Sequence, residues 1–459
     1  MAGRIMVTYV RSVLVAGCIC FFADTLVAIA QGQAVAERPA AASRNLPADV
    51  DGLAGAGPLQ RAEWFDRLWQ ERRAKFAADA ERQQGSLVFF GDSITQDWGD
   101  DFRGAFDGVK TANRGISGDT TRGMLFRLAD DVIALKPAGV VMLMGTNDVE
   151  LGATPQTIAD NIKLILERLE SHNAKMPVVL CQVMPSSSTR QRPADKIREL
   201  NRLIGEAAKG KTQVTVVDTF TLYANQQGEA KPEEFGDLLH PNPAGYGKWK
   251  AGLWPILATL GFVNTTPDVF TPEAGFESLF NGNDLTGWAF QPSTPDDLRV
   301  SAQYPTLNWP KVATETRFDG KTQTDDGRYV AKNGRLIITT PTEGRRVQKL
   351  STTRQFGKDF ELRLEFRASP NADSGVFLRD RQLQCRDYPL AGPYRNLTKY
   401  RPQDWNELVI TVKGNVAHAT CNGEVIEEAY EIPATGPIGF EGDRGQMEYR
   451  RIRIREERG

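Results

Sequence analysis

Two hydrophobic rhythms divide this chain of 459 residues. In its first half, strand patterns alternate with helical ones. Leu87–Phe90, Gly139–Met144, Val178–Val183 and Val214–Val217 are apolar runs bounded by turn residues, which predicts strands buried on both faces; Val109–Ala112 adds a shorter one. Leu59 to Gln84 reads as helix, with Trp64, Leu68 and Phe76 among many charges. Leu125, Leu128 and Val132 mark a second helical face. Ile158, Ile162, Ile165 and Leu169 mark a third, and Ile197, Leu200, Leu203 and Ile204 a fourth. Thr154-Pro155 suits a cap and first helical position, and Asn242-Pro243 opens a last helix carrying Trp249 and Trp254. Strands separated by helices imply βαβ units, and right-handed crossovers then build a three-layer α/β/α sandwich over residues 59–262.

Residues 263–274 contain Thr-Thr-Pro-Asp and Thr-Pro-Glu and read as a linker. Beyond it the period becomes two. Phe360, Leu362, Leu364 and Phe366 alternate with Glu361, Arg363, Glu365 and Arg367, which predicts a strand with one buried face. Leu408, Ile410 and Val412 repeat the pattern, as do Ile452 and Ile454. Asn333-Gly334 and Asn422-Gly423 are hairpin turns by composition. No long helical pattern interrupts residues 275–457, which read as an antiparallel β-sandwich. Arg451, Arg453 and Arg455 would form the solvated face of its last strand.

Composition changes this picture little. Apolar content of 41% and charged content of 25% suit a soluble globular chain, and a formal charge of -2 gives no footprint for nucleic acid or an anionic membrane. The N-terminus adds a targeting signal. Arg4 and Arg11 flank the start of an apolar run from Val13 to Phe22, and Ala28-Ile29-Ala30 fits a small-x-small cleavage site. Residues 1–30 are therefore read as a signal peptide, 31–58 as a flexible leader, and the mature chain as exported, periplasmic or extracellular, without stable membrane insertion. Val15-Ala16-Gly17-Cys18 leaves a lipoprotein signal as the rival. Of the five cysteines, Cys18 and Cys20 would leave with the signal; Cys181, Cys385 and Cys421 remain, an odd number too widely spaced for a disulfide framework, and pairing of Cys385 with Cys421 stays open.

The candidate chemistry lies at strand ends, where ligands collect in an open parallel sheet. Ser93 follows the Leu87–Phe90 strand, Gly115 and Asn147 follow the next two, and Asp237-x-x-His240 precedes the last helix. Acyl transfer needs a nucleophile, a base, a group that orients the base, and donors for an oxyanion. Ser93 can be the nucleophile, His240 the base and Asp237 its orienter, with the Ser93 and Gly115 N–H groups and the Asn147 amide as oxyanion donors. Taken singly, each has a plainer reading: a helix cap, a tight packing glycine, a turn, a loop hydrogen bond. The chain holds three histidines, and the other two, His172 and His418, read as structural. No metal or organic cofactor is required by this chemistry.

These four blocks, Gly91-Asp92-Ser93, Asn113-Arg114-Gly115, Gly145-Thr146-Asn147-Asp148 and Asp237-x-x-His240, resemble the SGNH (GDSL-type) hydrolase family. The wording of residues 113–122 is similar to its platelet-activating-factor acetylhydrolase-like branch. The resemblance implies a flavodoxin-like fold, esterase or carbohydrate acetylesterase activity, and the triad and donors just named. Gly275–Trp288, Asp359–Leu362, Asp373–Arg379, Trp405-Asn406 and Tyr449–Ile452 resemble a 3-keto-disaccharide hydrolase domain, which implies a concanavalin-like jelly-roll sandwich. Many relatives carry an acid in a Glu-x-Gln strand where this chain has Gln382-Leu383-Gln384, so the resemblance leaves carbohydrate binding, with Trp288, Arg379 and Gln384 as candidates; Trp288 reads equally well as core. The expected function is an exported serine esterase removing acetyl or other short acyl groups, from carbohydrate or another small ester. The rivals are a two-activity enzyme that also cleaves 3-keto-glycosides and a non-catalytic carbohydrate-binding surface protein.

Overall fold

The computed structural model describes residues 45–47 and 52–457. The signal-peptide reading of 1–30 and most of the leader fall outside them. Among the described residues, no helix is long and apolar enough to cross a membrane. The first region runs α1 (Glu63–Asp79), β1 (Leu87–Gly91), α2 (Ser93–Gln96), β2 (Thr111–Gly115), α3 (Thr121–Asp131), β3 (Gly139–Leu143), α4 (Thr146–Glu150), α5 (Pro155–His172), β4 (Val178–Cys181), α6 (Ala194–Ala208), β5 (Val214–Val217), α7 (Thr219–Tyr223) and α8 (Pro243–Thr259). The five strands pair in the order β2-β1-β3-β4-β5, parallel throughout. Apolar clusters line both faces: Val88, Phe90, Val140 and Met142 point to one, Leu87, Phe89, Val141 and Leu143 to the other. That two-sided burial is why these strands read as unbroken apolar runs.

Three details depart from expectation. Helix α1 buries Phe65, Trp69, Arg73 and Phe76, while Trp64 is 48% exposed. The buried face thus includes an arginine, which binds Asp131 at 3.1 Å. The end of the stretch read as a flexible leader is held: Ala56 exchanges backbone bonds with the Asn161 amide, Arg122 Nη1 donates to Gly57 O at 3.1 Å, and Thr120 Oγ1 to Pro58 O at 2.8 Å. Strand β2 begins at Thr111 and carries buried Asn113 and Arg114.

The second region comprises β6 (Glu277–Ser278), β7 (Trp288–Phe290), α9 (Pro295–Gln303), β8 (Thr316–Arg317), β9 (Tyr329–Lys332), β10 (Arg335–Ile338), β11 (Gln348–Thr352), β12 (Phe360–Ala368), β13 (Asp373–Leu378), β14 (Arg381–Arg386), β15 (Asn406–Lys413), β16 (Val416–Cys421), β17 (Glu424–Glu431), β18 (Ile438–Arg444) and β19 (Met447–Glu456). One sheet runs β17-β16-β15-β12-β19-β10-β9 with β6 on β19; the other runs β14-β13-β18-β11-β7-β8, and every pairing is antiparallel. Residues of both sheets share one apolar core, the arrangement of a jelly-roll sandwich. Burial along β12 alternates residue by residue, as its sequence does. Asn333 and Gly334 take φ of 53° and 76°, and Asn422 and Gly423 48° and 79°, the left-handed pair that a two-residue hairpin needs.

Helix α9 was not expected in this region. Of the β19 arginines read as a solvated face, Arg455 is exposed and binds Glu361, Arg451 is partly exposed and pairs with Asp268 at 2.8 Å, and only Arg453 is buried, gripping Glu273 at 2.6 and 2.8 Å. Their partners Asp268 and Glu273 sit in the stretch read as a linker, which is thereby fastened to the sandwich. Cys181, Cys385 and Cys421 are free and buried, so the open pairing of Cys385 with Cys421 is absent.

Candidate active site

Gly91 ends β1, and Asp92 caps the short helix α2, its Oδ1 accepting from the Ile94 N–H at 3.0 Å. Ser93 is the first residue of that helix, so its N–H has no partner within it. A Cβ at 115 would collide with the Gln96 N and the Asp92 O, so glycine alone lets β2 lie this close to the serine turn. Gly145, at φ 117°, caps α4 and turns Asn147 toward the same edge.

The structure brings Ser93, His240 and Asp237 into one chain of hydrogen bonds. His240 Nε2 lies 2.9 Å from Ser93 Oγ, and Nδ1 lies 2.7 Å from Asp237 Oδ2. An ionised carboxylate only accepts, so Nδ1 carries the proton and Nε2 is left to accept from the serine hydroxyl. Asp237 Oδ1 also accepts the backbone N–H of His240 at 2.7 Å and of Leu239 at 3.0 Å. Burial would raise this carboxyl, but those bonds and the imidazole outweigh it and bring its pKa down to about 2. Leu238 absorbs the tight turn with a φ of 62°.

Asn147 is buried and its amide orientation is settled. Its Oδ1 accepts from Arg192 Nη2 at 3.1 Å, and Nδ2 donates to Asp119 O at 3.0 Å with one hydrogen left over. The expectation for Gly115 needs correction: its N–H donates to Asn113 Oδ1 at 2.9 Å, because the Asn113 side chain folds back over its own strand end. It can serve an oxyanion only as a shared donor or after that bond opens. The donors left are the Ser93 N–H and the Asn147 amide. His172 ends α5, and His418 lies on β16, both away from this constellation.

Sequence reasoning missed what supports the site. Arg127, fully buried, binds Asp119 at 2.7 Å and Gly91 O at 3.0 Å, tying the Asp119 loop to the end of β1. Burial pushes the pKa values of Asp92 and Asp119 up to about 6 and that of Asp148 to about 7. Asp148 accepts from the Thr121 N–H at 2.9 Å and hydroxyl at 2.6 Å, which joins the starts of α3 and α4. Arg190 Nε donates to Asp237 O at 2.7 Å.

A second concavity lies in the sandwich. A cleft of about 440 Å³ is lined by Trp309, Tyr394, Tyr430, Asp297, Asp380 and Glu441, among others. Of the expected carbohydrate contacts, Gln384 lines it. Trp288 does not: it is fully buried, stacks on Phe440 and donates to Leu279 O. Arg379 is also buried, donating to the Gly414, Pro433 and Lys358 carbonyls. Gln382 has no carboxylate of its own, but its side chain reaches across β13 to β18, where Glu441 accepts from Gln382 Nε2. Burial, with Asp443 and Asp373 nearby, pushes the Glu441 carboxyl up to about 8.

Comparison with known proteins agrees with both halves. Residues 89–248 match the GDSL-like Lipase/Acylhydrolase family, and residues 275–455 match a 3-keto-alpha-glucoside-1,2-lyase-like domain. The chain is similar to the Homo sapiens platelet-activating factor acetylhydrolase IB subunit alpha2, 25% identical over 186 residues, which is 40% of this chain and 80% of that protein. It is likewise similar to the human alpha1 subunit, 27% identical over 184 residues, 39% of this chain and 79% of that one. Among solved structures, a GDSL-like lipase from Bacteroides thetaiotaomicron VPI-5482 is 27% identical with a TM-score of 0.37, covering 41% of this chain and 97% of its own. One chain thus joins a GDSL-like lipase/acylhydrolase domain, which hydrolyses ester bonds, to a 3-keto-alpha-glucoside-1,2-lyase-like domain.

Proposed function

We propose that the acylhydrolase domain is a serine esterase removing acetyl or other short acyl groups from carbohydrate, and that it works outside the cytoplasm. The observation that carries the mechanism is the unbroken chain Ser93 Oγ, His240, Asp237, with links of 2.9 and 2.7 Å. His240 Nε2 takes the hydroxyl proton as Ser93 Oγ bonds to the ester carbonyl carbon. The carbonyl oxygen becomes an oxyanion facing the Ser93 N–H and the Asn147 amide. The tetrahedral species collapses, the bond to the leaving oxygen breaks, and His240 returns the proton to it. Water then attacks the acyl-enzyme by the same route and frees Ser93. Hydrolysis of an aryl acetate by the full chain and by Ser93→Ala tests this, with an expected loss in kcat of about 10⁴-fold or more. Equal rates in the two would refute the nucleophile assignment.

The carbohydrate part of the reading is supported by the attached domain and its cleft, where aromatic rings and carboxyls stand together. A panel of acylated sugars beside simple aryl esters checks it. Export is supported by Arg4, Arg11, the Val13–Phe22 run and Ala28-Ile29-Ala30. Mass spectrometry of the protein recovered outside the cytoplasm is expected to find Gln31 as its first residue.

Glu441 favours a second reading, that the sandwich is itself catalytic toward 3-keto-glycosides. In support, Glu441 lines the cleft and burial holds its carboxyl protonated, the form a general acid needs toward a leaving glycosidic oxygen. In the full chain, Glu441→Gln should abolish turnover of a 3-keto-disaccharide and Ser93→Ala should not. Unchanged turnover in Glu441→Gln removes this role.

A further inference from the structure

We infer that one loop, residues 186–193 between β4 and α6, braces both poles of the esterase site, and that Arg192 is the positioning residue of the Asn147 oxyanion donor. The inference rests on the serine esterase reading above.

Arg192 is 2% exposed, and its guanidinium is almost wholly spent on the start of α4 and its own loop. Nε donates to Thr146 O at 3.1 Å and Thr146 Oγ1 at 3.0 Å, and Nη1 to Arg190 O at 2.7 Å. Nη2 donates to Asn147 Oδ1 at 3.1 Å and Glu150 Oε2 at 2.8 Å. A guanidinium cannot accept a hydrogen bond, so an Asn147 amide turned end for end would set N–H against N–H. Arg192 on one side and the Asp119 carbonyl on the other therefore fix which end of Asn147 faces the site. By drawing charge from Oδ1 it also strengthens the Nδ2 hydrogens as donors. Its positive charge stays fixed behind the donor, where it favours a developing oxyanion without reorganising.

The same loop reaches the other pole. Arg190 Nε donates to Asp237 O at 2.7 Å, its Nη2 lies 3.4 Å from Asp237 Oδ2, and Ser186 Oγ donates to Leu238 O at 2.8 Å. Arg192 holds Arg190 through the backbone carbonyl. The acid that orients His240 and the amide that receives the oxyanion are thus referenced to one segment.

The test is a double-mutant cycle on aryl acetate hydrolysis by the full chain. Arg192→Met is expected to lower kcat about 10- to 100-fold with KM within about twofold, below the loss for deleting a donor outright. In an Asn147→Ala background the same change should cost clearly less than in the wild-type background, because the residue it positions is gone and only its charge and its hold on Arg190 are then lost. Arg192→Lys, which keeps the charge without the fork, should fall between. Equal losses in both backgrounds, or a loss confined to KM, would overturn the inference. Unfolding midpoints followed by circular dichroism accompany each variant, and if Arg192→Met does not fold, Arg192→Lys is carried through the same cycle under the same criterion. An active Ser93→Ala would instead sink the esterase reading, so the two failures are distinguishable.

Discussion

His240 stands between two oxygens of opposite demand, and that asymmetry is what a general base requires. The carboxylate at 237 fixes the proton on Nδ1, so Nε2 faces the serine as an acceptor. Asp237→Asn presents an amide there, which stabilises the wrong tautomer. The expected loss in kcat is about 10³- to 10⁴-fold, measured on an aryl acetate, with the fold intact by circular dichroism. Because Asp237 has its pKa lowered to about 2, it stays charged throughout the working range. Any fall in rate on mild acidification therefore belongs to another group. Beside it, Leu238 holds a φ of 62°, a region that a branched Cβ tolerates poorly. Leu238→Ile should lower stability by about 1 kcal/mol and reduce kcat, whereas Leu238→Gly should leave stability within about 1 kcal/mol, both read from urea unfolding. The triad residues were legible in the sequence because Ser93 follows an apolar strand and Asp237 and His240 share one short block before the last helix. Arg190 and Arg192 were not. They sit in a loop without periodicity, and their targets lie about 45 residues away in the chain.

Elements were legible where burial is regular. Two-sided strands appear as apolar runs, and β12, β15 and β19 as alternation, so the parallel sheet and one sheet of the sandwich could be read directly, while no long alternation marks the strands of the other. Strand β2 was placed two residues early. Its inner positions are Asn113 and Arg114, and the latter is buried by stacking over the Phe76 ring and donating to Asp131 O at 2.8 Å. In helix α1, Phe76 is buried as read and Leu68 packs partly, but Phe65 and Trp69 take the core positions instead of Trp64, with Arg73 beside them. Helix α9 was missed although its start is written in Thr294-Pro295-Asp296-Asp297: Thr294 Oγ1 accepts the Asp297 N–H at 3.1 Å, and Asp297 answers the Thr294 N–H at 2.8 Å. A nine-residue helix amid strands carries too short an apolar face to show as periodicity. Asp296 and Asp297 line the sandwich cleft, and Asp297 meets Lys349 at 3.2 Å. Thr294→Ala should therefore lower stability by about 1 kcal/mol and weaken binding of a sugar in that cleft, read by thermal melting and by titration.

Across the whole molecule, buried carboxyls and paired carboxylates pull stability in opposite directions as pH changes. Asp92, Asp119 and Asp148 have folded values of about 6, 6 and 7 against 3.8, and Glu441 about 8 against 4.5. Between each ordinary value and its raised one, the unfolded chain binds fewer protons than the folded chain, so stability falls as pH rises through that window and then levels off. Asp237 and Glu273, both lowered to about 2, act the other way: their contribution is present above the ordinary value and lost as pH falls toward 2. Urea unfolding is expected to show a maximum near about pH 4 to 5, and Glu441→Gln should flatten the slope between about pH 7 and 8, where of the four that group remains the most protonated and Asp148 supplies the rest.

Asn371, ahead of β13, donates at 2.7 Å to Asp218, the cap of α7, and Gln446 on the sandwich reaches Thr259 at 3.0 Å, so the two layered bodies touch directly. Whether they come apart in one event or two can be counted with sulfur. Cys181 sits in the parallel sheet, Cys385 and Cys421 in the sandwich, and burial pushes Cys181 and Cys421 up to about 12 and Cys385 higher still. Such sealed thiols stay unlabelled by an alkylating reagent until the layer around them opens. For the chain beginning at Gln31, which lacks Cys18 and Cys20, masses stepping by one or by two adducts in rising denaturant would mean independent opening of the halves, and a single jump of three would mean one cooperative molecule.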